Sequence, residues 1–90
     1  MVQGENYVAL SFDHKPENPV ERERIQKTGV PIIQGRVNGL NLTRSIGDFS
    51  HKKVEGLPFN QQPITCMPDI IEIDRNGKEE LILIGCDGIW

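Results

Sequence analysis

Long apolar runs are absent from this chain. No uninterrupted stretch of apolar side chains exceeds four residues, as in Leu81–Ile84, whereas a helix that crosses a bilayer needs about 20. No membrane association is expected. An excess of basic charge is missing too: 10 Lys and Arg stand against 13 Asp and Glu, for a formal net charge of -3. Nucleic-acid binding calls for a dense basic patch, so no nucleic-acid partner is expected. Cysteine is scarce. Cys66 and Cys86 are the only two, with neither a disulfide framework nor zinc-ligand spacing. Both read as structural thiols, Cys86 as a buried one, and a reducing intracellular compartment, cytoplasmic or nuclear, is the expectation. Met1–Asn6 is polar and does not read as a secretory leader. Apolar residues make up only 37% and aromatics 6% of the 90 residues. A single small domain with little material for a core follows.

The patterns present are local. Tyr7–Phe12 alternates, with Val8, Leu10 and Phe12 on one side, and reads as a strand. Asp13-His14-Lys15-Pro16 follows as a polar turn. Asn18-Pro19 with Glu21 three residues after Asn18 is a helix start of capping-box type. Glu21 and Glu23 suit the positive end of the helix dipole, Lys27 suits the negative end, and Gly29 terminates. Val20 and Ile25 form a thin apolar stripe, so a surface helix is expected, with Arg22, Arg24 and Lys27 on a solvated face. Ile32–Leu42 holds two apolar pieces around Asn38-Gly39, a strong hairpin dipeptide. Ser45–Gly47 fits a turn of helix. Lys52–Pro68 reads as a loop with a weak strand near Ile64. The last segment predicts a strand at Ile70–Ile73, a turn at Arg75–Lys78 and a strand at Leu81–Ile84. That last strand is apolar at every position, which predicts burial on both faces.

The candidate chemistry lies where this strand ends. Gly85-Cys86-Asp87-Gly88 places a carboxylate between permissive glycines. Such a carboxylate suits a hard cation such as Mg²⁺ or Mn²⁺. An Asp-Gly pair is also an ordinary turn, and on these residues alone the turn reading comes first. Phosphatases that form an aspartyl-phosphate need a second acid two residues from the first. Gly85 and Ile89 occupy those positions, so that pattern fails.

Five motifs occur in order: Asp13-His14-Lys15-Pro16, Glu23-Arg24-Ile25, Arg36-Val37-Asn38-Gly39, Leu42-Thr43-Arg44-Ser45-Ile46-Gly47-Asp48 and Cys86-Asp87-Gly88-Ile89-Trp90. The series, from about Leu10 to Trp90, resembles the type 2C metal-dependent serine/threonine protein phosphatases, the PPM family. The resemblance implies an α+β fold, here a partial piece of a four-layer αββα sandwich in which an antiparallel β-sandwich is flanked by helices. It implies two core Mg²⁺ or Mn²⁺ ions, with a third in some members, and a metal-bridged water that attacks phosphoserine or phosphothreonine directly. Asp87 matches the family's ligand to the second core metal. Asp13 matches a ligand to the weaker third metal. The family's remaining ligands, its Asp-Gly-His segment and its phosphate-binding arginine have no counterpart. Residues 1–90 are therefore expected to be the central to C-terminal part of such a domain, monomeric and inactive alone, with a phosphoprotein as substrate of the parent.

Other residues read as structural. His14 and His51 are a turn and a loop residue, Arg44 and Asp48 a polar pair that orders their segment, and Trp90 a core anchor. The competing functional reading is a non-catalytic regulatory or decoy module, motivated by the apolar side of Leu81–Ile84.

Overall fold

The computed structural model describes Met1–Trp90. The chain forms two units, one of Asp13–Asp69 and one of Met1–Phe12 with Ile70–Trp90.

The Asp13–Asp69 unit is built around one helix, α1, at Pro19–Lys27. It starts where the proline sets φ for the first turn. Asn18 is extended there, with φ -62° and ψ 132°, but its side chain makes no cap. The Asn18 amide instead donates to the carbonyl of Asp13 at 2.8 Å and ties the helix to the preceding turn. The helix ends at Thr28, whose hydroxyl donates to the Ile25 carbonyl at 2.6 Å. Gly29 then turns the chain at φ +77°, a conformation that costs residues with a Cβ.

Strands β1 (Ile32–Ile33) and β2 (Arg36–Val37) follow as an antiparallel hairpin, Ile32 opposite Val37. Its turn is Gln34-Gly35, both at positive φ, and the sequence pattern did not mark it. Asn38-Gly39 makes a second tight turn, closed by reciprocal bonds of 2.9 Å between Val37 and Leu40. Gly39 stands at φ +82° with open space where a Cβ would go. Gly39→Ala is thus free of clashes but strained in backbone, and should cost about 1 kcal/mol in urea unfolding.

Ile25, Val37 and Ile64 are fully buried and form the core, with Val30, Ile32 and Leu40 packed against them. Ile64 reaches the core because its neighbour Thr65 forms a parallel bridge with Arg44. The bridge bonds are Thr65 N–H to Thr43 carbonyl at 3.1 Å and Ser45 N–H to Thr65 carbonyl at 3.0 Å. The loop between them is held by one buried side chain. The Gln62 amide accepts from Val54 N–H and donates to the carbonyls of Val54 and Leu57, each at 2.9 Å. The helical turn expected at Ser45–Gly47 is displaced: Phe49–His51 forms a short 3₁₀ turn, as does Phe59–Gln61.

In the other unit, Val2–Gln3 and Asn6–Tyr7 form a small antiparallel hairpin. The strand expected over Tyr7–Phe12 does not form beyond Tyr7. Val2 also bridges Leu81, with bonds of 2.8 Å to the Leu81 carbonyl and 3.1 Å from Glu80 N–H. The expected turn at Arg75–Lys78 is present. Glu79 accepts from the amides of Asn76 and Gly77 at 2.7 and 3.0 Å.

The expected strands at Ile70–Ile73 and Leu81–Ile84 are not formed. Leu81–Ile84 is not buried on two faces, and Ile84 is 90% exposed. Trp90, expected in the core, is 76% exposed, and Cys86 is exposed rather than buried. A continuous apolar strand is buried only where other layers cover it, and this unit supplies none. The two hairpins and one helix are an α+β arrangement. No helix is long and apolar enough to cross a membrane.

Candidate functional site

The densest polar constellation lies in the Asp13–Asp69 unit and centres on Glu21, which is 2% exposed. Glu21 and Ile25 are one helical turn apart, so the carboxylate shares the inward face of α1 with the core isoleucine. It does not close a capping box. Its Oε2 lies 2.6 Å from Arg24 Nη1 and accepts from Thr43 Oγ1 at 2.6 Å and from Arg44 Nε at 3.1 Å. Its Oε1 accepts from Arg44 Nη2. Burial by itself would raise the Glu21 pKa. Hydrogen bonds from Arg44, Thr43 and Arg24 outweigh it and hold the group at about 2.

The two arginines are anchored on their far sides by backbone carbonyls. Arg24 donates to Gln62 at 3.0 Å and to Pro63 at 3.2 Å. Arg44 donates to Met67 at 2.6 Å and lies 3.8 Å from Asp69. Asp69 in turn meets His14 Nε2 at 2.8 Å. The network joins α1, the Thr43-Arg44 segment and the Gln62–Asp69 stretch. It also closes onto the turn at His14, whose carbonyl accepts from Thr43 N–H at 2.9 Å.

These contacts correct three sequence expectations. Arg24 is not on a solvated face, whereas Arg22 and Lys27 are, Lys27 pairing with Glu23 at 3.0 Å in the open. Arg44 pairs with Glu21 rather than with Asp48, which turns the chain at φ +50°. Glu21 itself was legible only as a helix-start acid. The signal that marks its burial is the spacing Glu21, Arg24, Ile25, which places all three on one side of the helix.

The metal-ligand candidates Asp87 and Asp13 stand in different units. Asp87 occupies a tight turn in which Ile89 N–H donates to the Cys86 carbonyl at 2.8 Å, and its side chain is exposed. The Trp90 ring folds over Gly85, so near that an added Cβ would lie 2.8 Å from it. Asp13 is exposed in the turn before α1. No group of three or more His, Cys, Asp and Glu side chains is gathered as a metal site would require.

The family described as Protein phosphatase 2C matches residues 1–90. Protein phosphatase 2C homolog 2 of Schizosaccharomyces pombe is 49% identical over 82 residues, which are 90% of this chain and 22% of that protein. Probable protein phosphatase 2C 21 of Arabidopsis thaliana is 50% identical over 82 residues, 90% of this chain and 23% of that one. A solved phosphatase from Toxoplasma gondii superimposes with a TM-score of 0.65 at 39% identity, over 69% of this chain and 20% of its own. The chain thus spans under a quarter of the length of these relatives. With a match that runs along every one of its residues, this chain belongs to the protein phosphatase 2C family.

Proposed function

We propose that residues 1–90 are part of a domain that hydrolyses phosphoserine and phosphothreonine in phosphoproteins, with Mg²⁺ or Mn²⁺ as cofactor. The observation that carries this reading is the family match over the whole chain, with Asp87 exposed in a tight turn at the end of it. In this proposal Asp87 supplies one carboxylate to a core ion and Asp13 one to a weaker ion. Bound ions would supply an activated water and charge neutralisation at the phosphoryl group.

The chain's own donor set does not fit such a centre. No three ligating side chains come together, and one isolated carboxylate is a poor site for Mg²⁺, which demands near-ideal octahedral geometry. No hydrolytic step is therefore assigned to these residues alone. Their contribution is to hold the Thr43–Ser45 segment and the turns around it in place through Glu21.

The test is a chimera. The 82 aligned residues of the S. pombe relative are replaced by the matching part of this chain. Manganese-dependent release of phosphate from a phosphothreonine peptide is expected in the chimera, and none above background from residues 1–90 alone. Asp87→Asn in the chimera should lower turnover about a hundredfold, the scale of losing a charge-stabilising group. An inactive but folded chimera, or one indifferent to Asp87→Asn, would sink the reading. The second reading, a non-catalytic binding module, is favoured by the exposed Leu81–Ile84 run. It requires the folded chimera to be silent.

A further inference from the structure

A trough of about 850 Å³ runs between α1 and the β1–β2 hairpin. It is lined by the Val30–Ile32 segment, by Lys15 from the turn before α1, by Arg22 of α1 and by Arg36 of β2. Glu17 is the single acid of the lining. Three cations against one anion make the trough locally +2, in a chain of net charge -3. Unlike Arg24 and Arg44, which Glu21 engages, Lys15, Arg22 and Arg36 form no salt bridge. Arg36 is nonetheless fixed: its Nη1 donates to the Gly39 carbonyl at 2.8 Å. That contact leaves the rest of the guanidinium fork free.

We propose that this trough docks a phosphate monoester carried on an extended peptide. Two guanidinium groups suit the chemistry, because their planar donor pairs match phosphate oxygens bidentately. A phosphate carries close to two charges at neutral pH and can engage more than one cation of the lining. The volume exceeds what one phosphate fills, and the trough opens to solvent, which leaves room for the peptide that carries the phosphate. The proposal rests on the phosphoprotein reading for the identity of the ligand. Its test is binding without turnover, so the two can fail separately.

The experiment is an NMR titration of residues 1–90 with three probes: a phosphoserine peptide, its unphosphorylated twin and inorganic phosphate. The phosphopeptide is expected to shift the amides of Arg22, Gly35 and Arg36 and to bind at least about tenfold tighter than either other probe. The double charge reversal Arg22→Glu with Arg36→Glu should weaken it by more than about tenfold, with the signals of Ile25 and Ile64 in place. Lys15→Glu, a single exposed change, should weaken it in the same direction should the double variant lose those core signals. Equal binding of the twin, equal binding of inorganic phosphate, shifts confined to other residues, or full affinity in the charge-reversed variants each overturns the proposal. Binding at the trough beside a folded, inactive chimera would leave the docking site standing and remove the phosphatase reading.

Discussion

Glu21→Ala is expected to destabilise the Asp13–Asp69 unit by about 3–5 kcal/mol, the cost of breaking a buried ion pair from one side. A small unit is stable by only a few kcal/mol in total, so the substituted chain should be largely unfolded at 25 °C. The reason is the asymmetry of the network. Glu21 is the one anion within reach of both Arg24 and Arg44 in their inward positions. Removing it leaves two half-buried guanidinium groups with backbone carbonyls as partners and, for Arg44 alone, the exposed Asp69 carboxylate at 3.8 Å. Glu21→Gln keeps the volume and one acceptor, and should lose less. Urea unfolding by circular dichroism reads all three chains. A loss below about 1 kcal/mol for Glu21→Ala, the range of exposed pairs, would show that the network is dispensable. The same carboxylate sets the acid limit. Its folded pKa, about 2, lies below its ordinary value of 4.5. The stabilisation is therefore complete above pH 4.5 and is lost as the pH falls toward 2. Wild-type stability should fall across that window, and Glu21→Gln should flatten the fall.

The features legible in the sequence are those written in a few adjacent residues. Asn18-Pro19 marked the start of α1 and Asn38-Gly39 a tight turn, because proline and glycine act on their own backbone whatever surrounds them. The five ordered motifs marked the family in the same local way. What stayed hidden depends on partners far along the chain. Glu21 looked like a capping residue because its partners, Thr43 and Arg44, lie more than 20 positions away. The turn at Gln34-Gly35 was missed because glutamine is a rare occupant of positive φ; the pairing of Ile32 with Val37 imposes it. Asp87 could be read as a carboxylate at the end of an apolar run, but the sequence could not say whether that run would be covered. Motif and burial give different answers here: the motif identifies the family, while the exposure of Leu81–Ile84 separates the residue from the buried strand that the reading assumed.

That exposure has a direct consequence for amide exchange. The amides of Thr43 and Thr65 donate to backbone carbonyls in a buried setting. The amides of Ile82, Leu83 and Ile84 have no hydrogen-bond partner in the structure, and their side chains are open to solvent. Protection reflects the free energy needed to expose an amide, from near zero at open segments to the global value in a core. With a stability of several kcal/mol, Thr43 and Thr65 should exchange about 10³-fold more slowly than an unfolded peptide. Ile82, Leu83 and Ile84 should exchange at nearly the unfolded rate. Hydrogen–deuterium exchange at residue resolution reads both on one sample. Protection of Ile82–Ile84 equal to that of Thr65 would mean that the apolar run is paired after all, and dilution would tell how. Protection that falls with dilution would place the pairing between two copies, since an exposed apolar edge is a template for another strand. Protection that persists would place it within one chain. In the chimera the same amides acquire the remainder of a phosphatase domain as neighbours. Slow exchange there, against fast exchange in residues 1–90, would tie the position of Asp87 to residues that this chain does not contain.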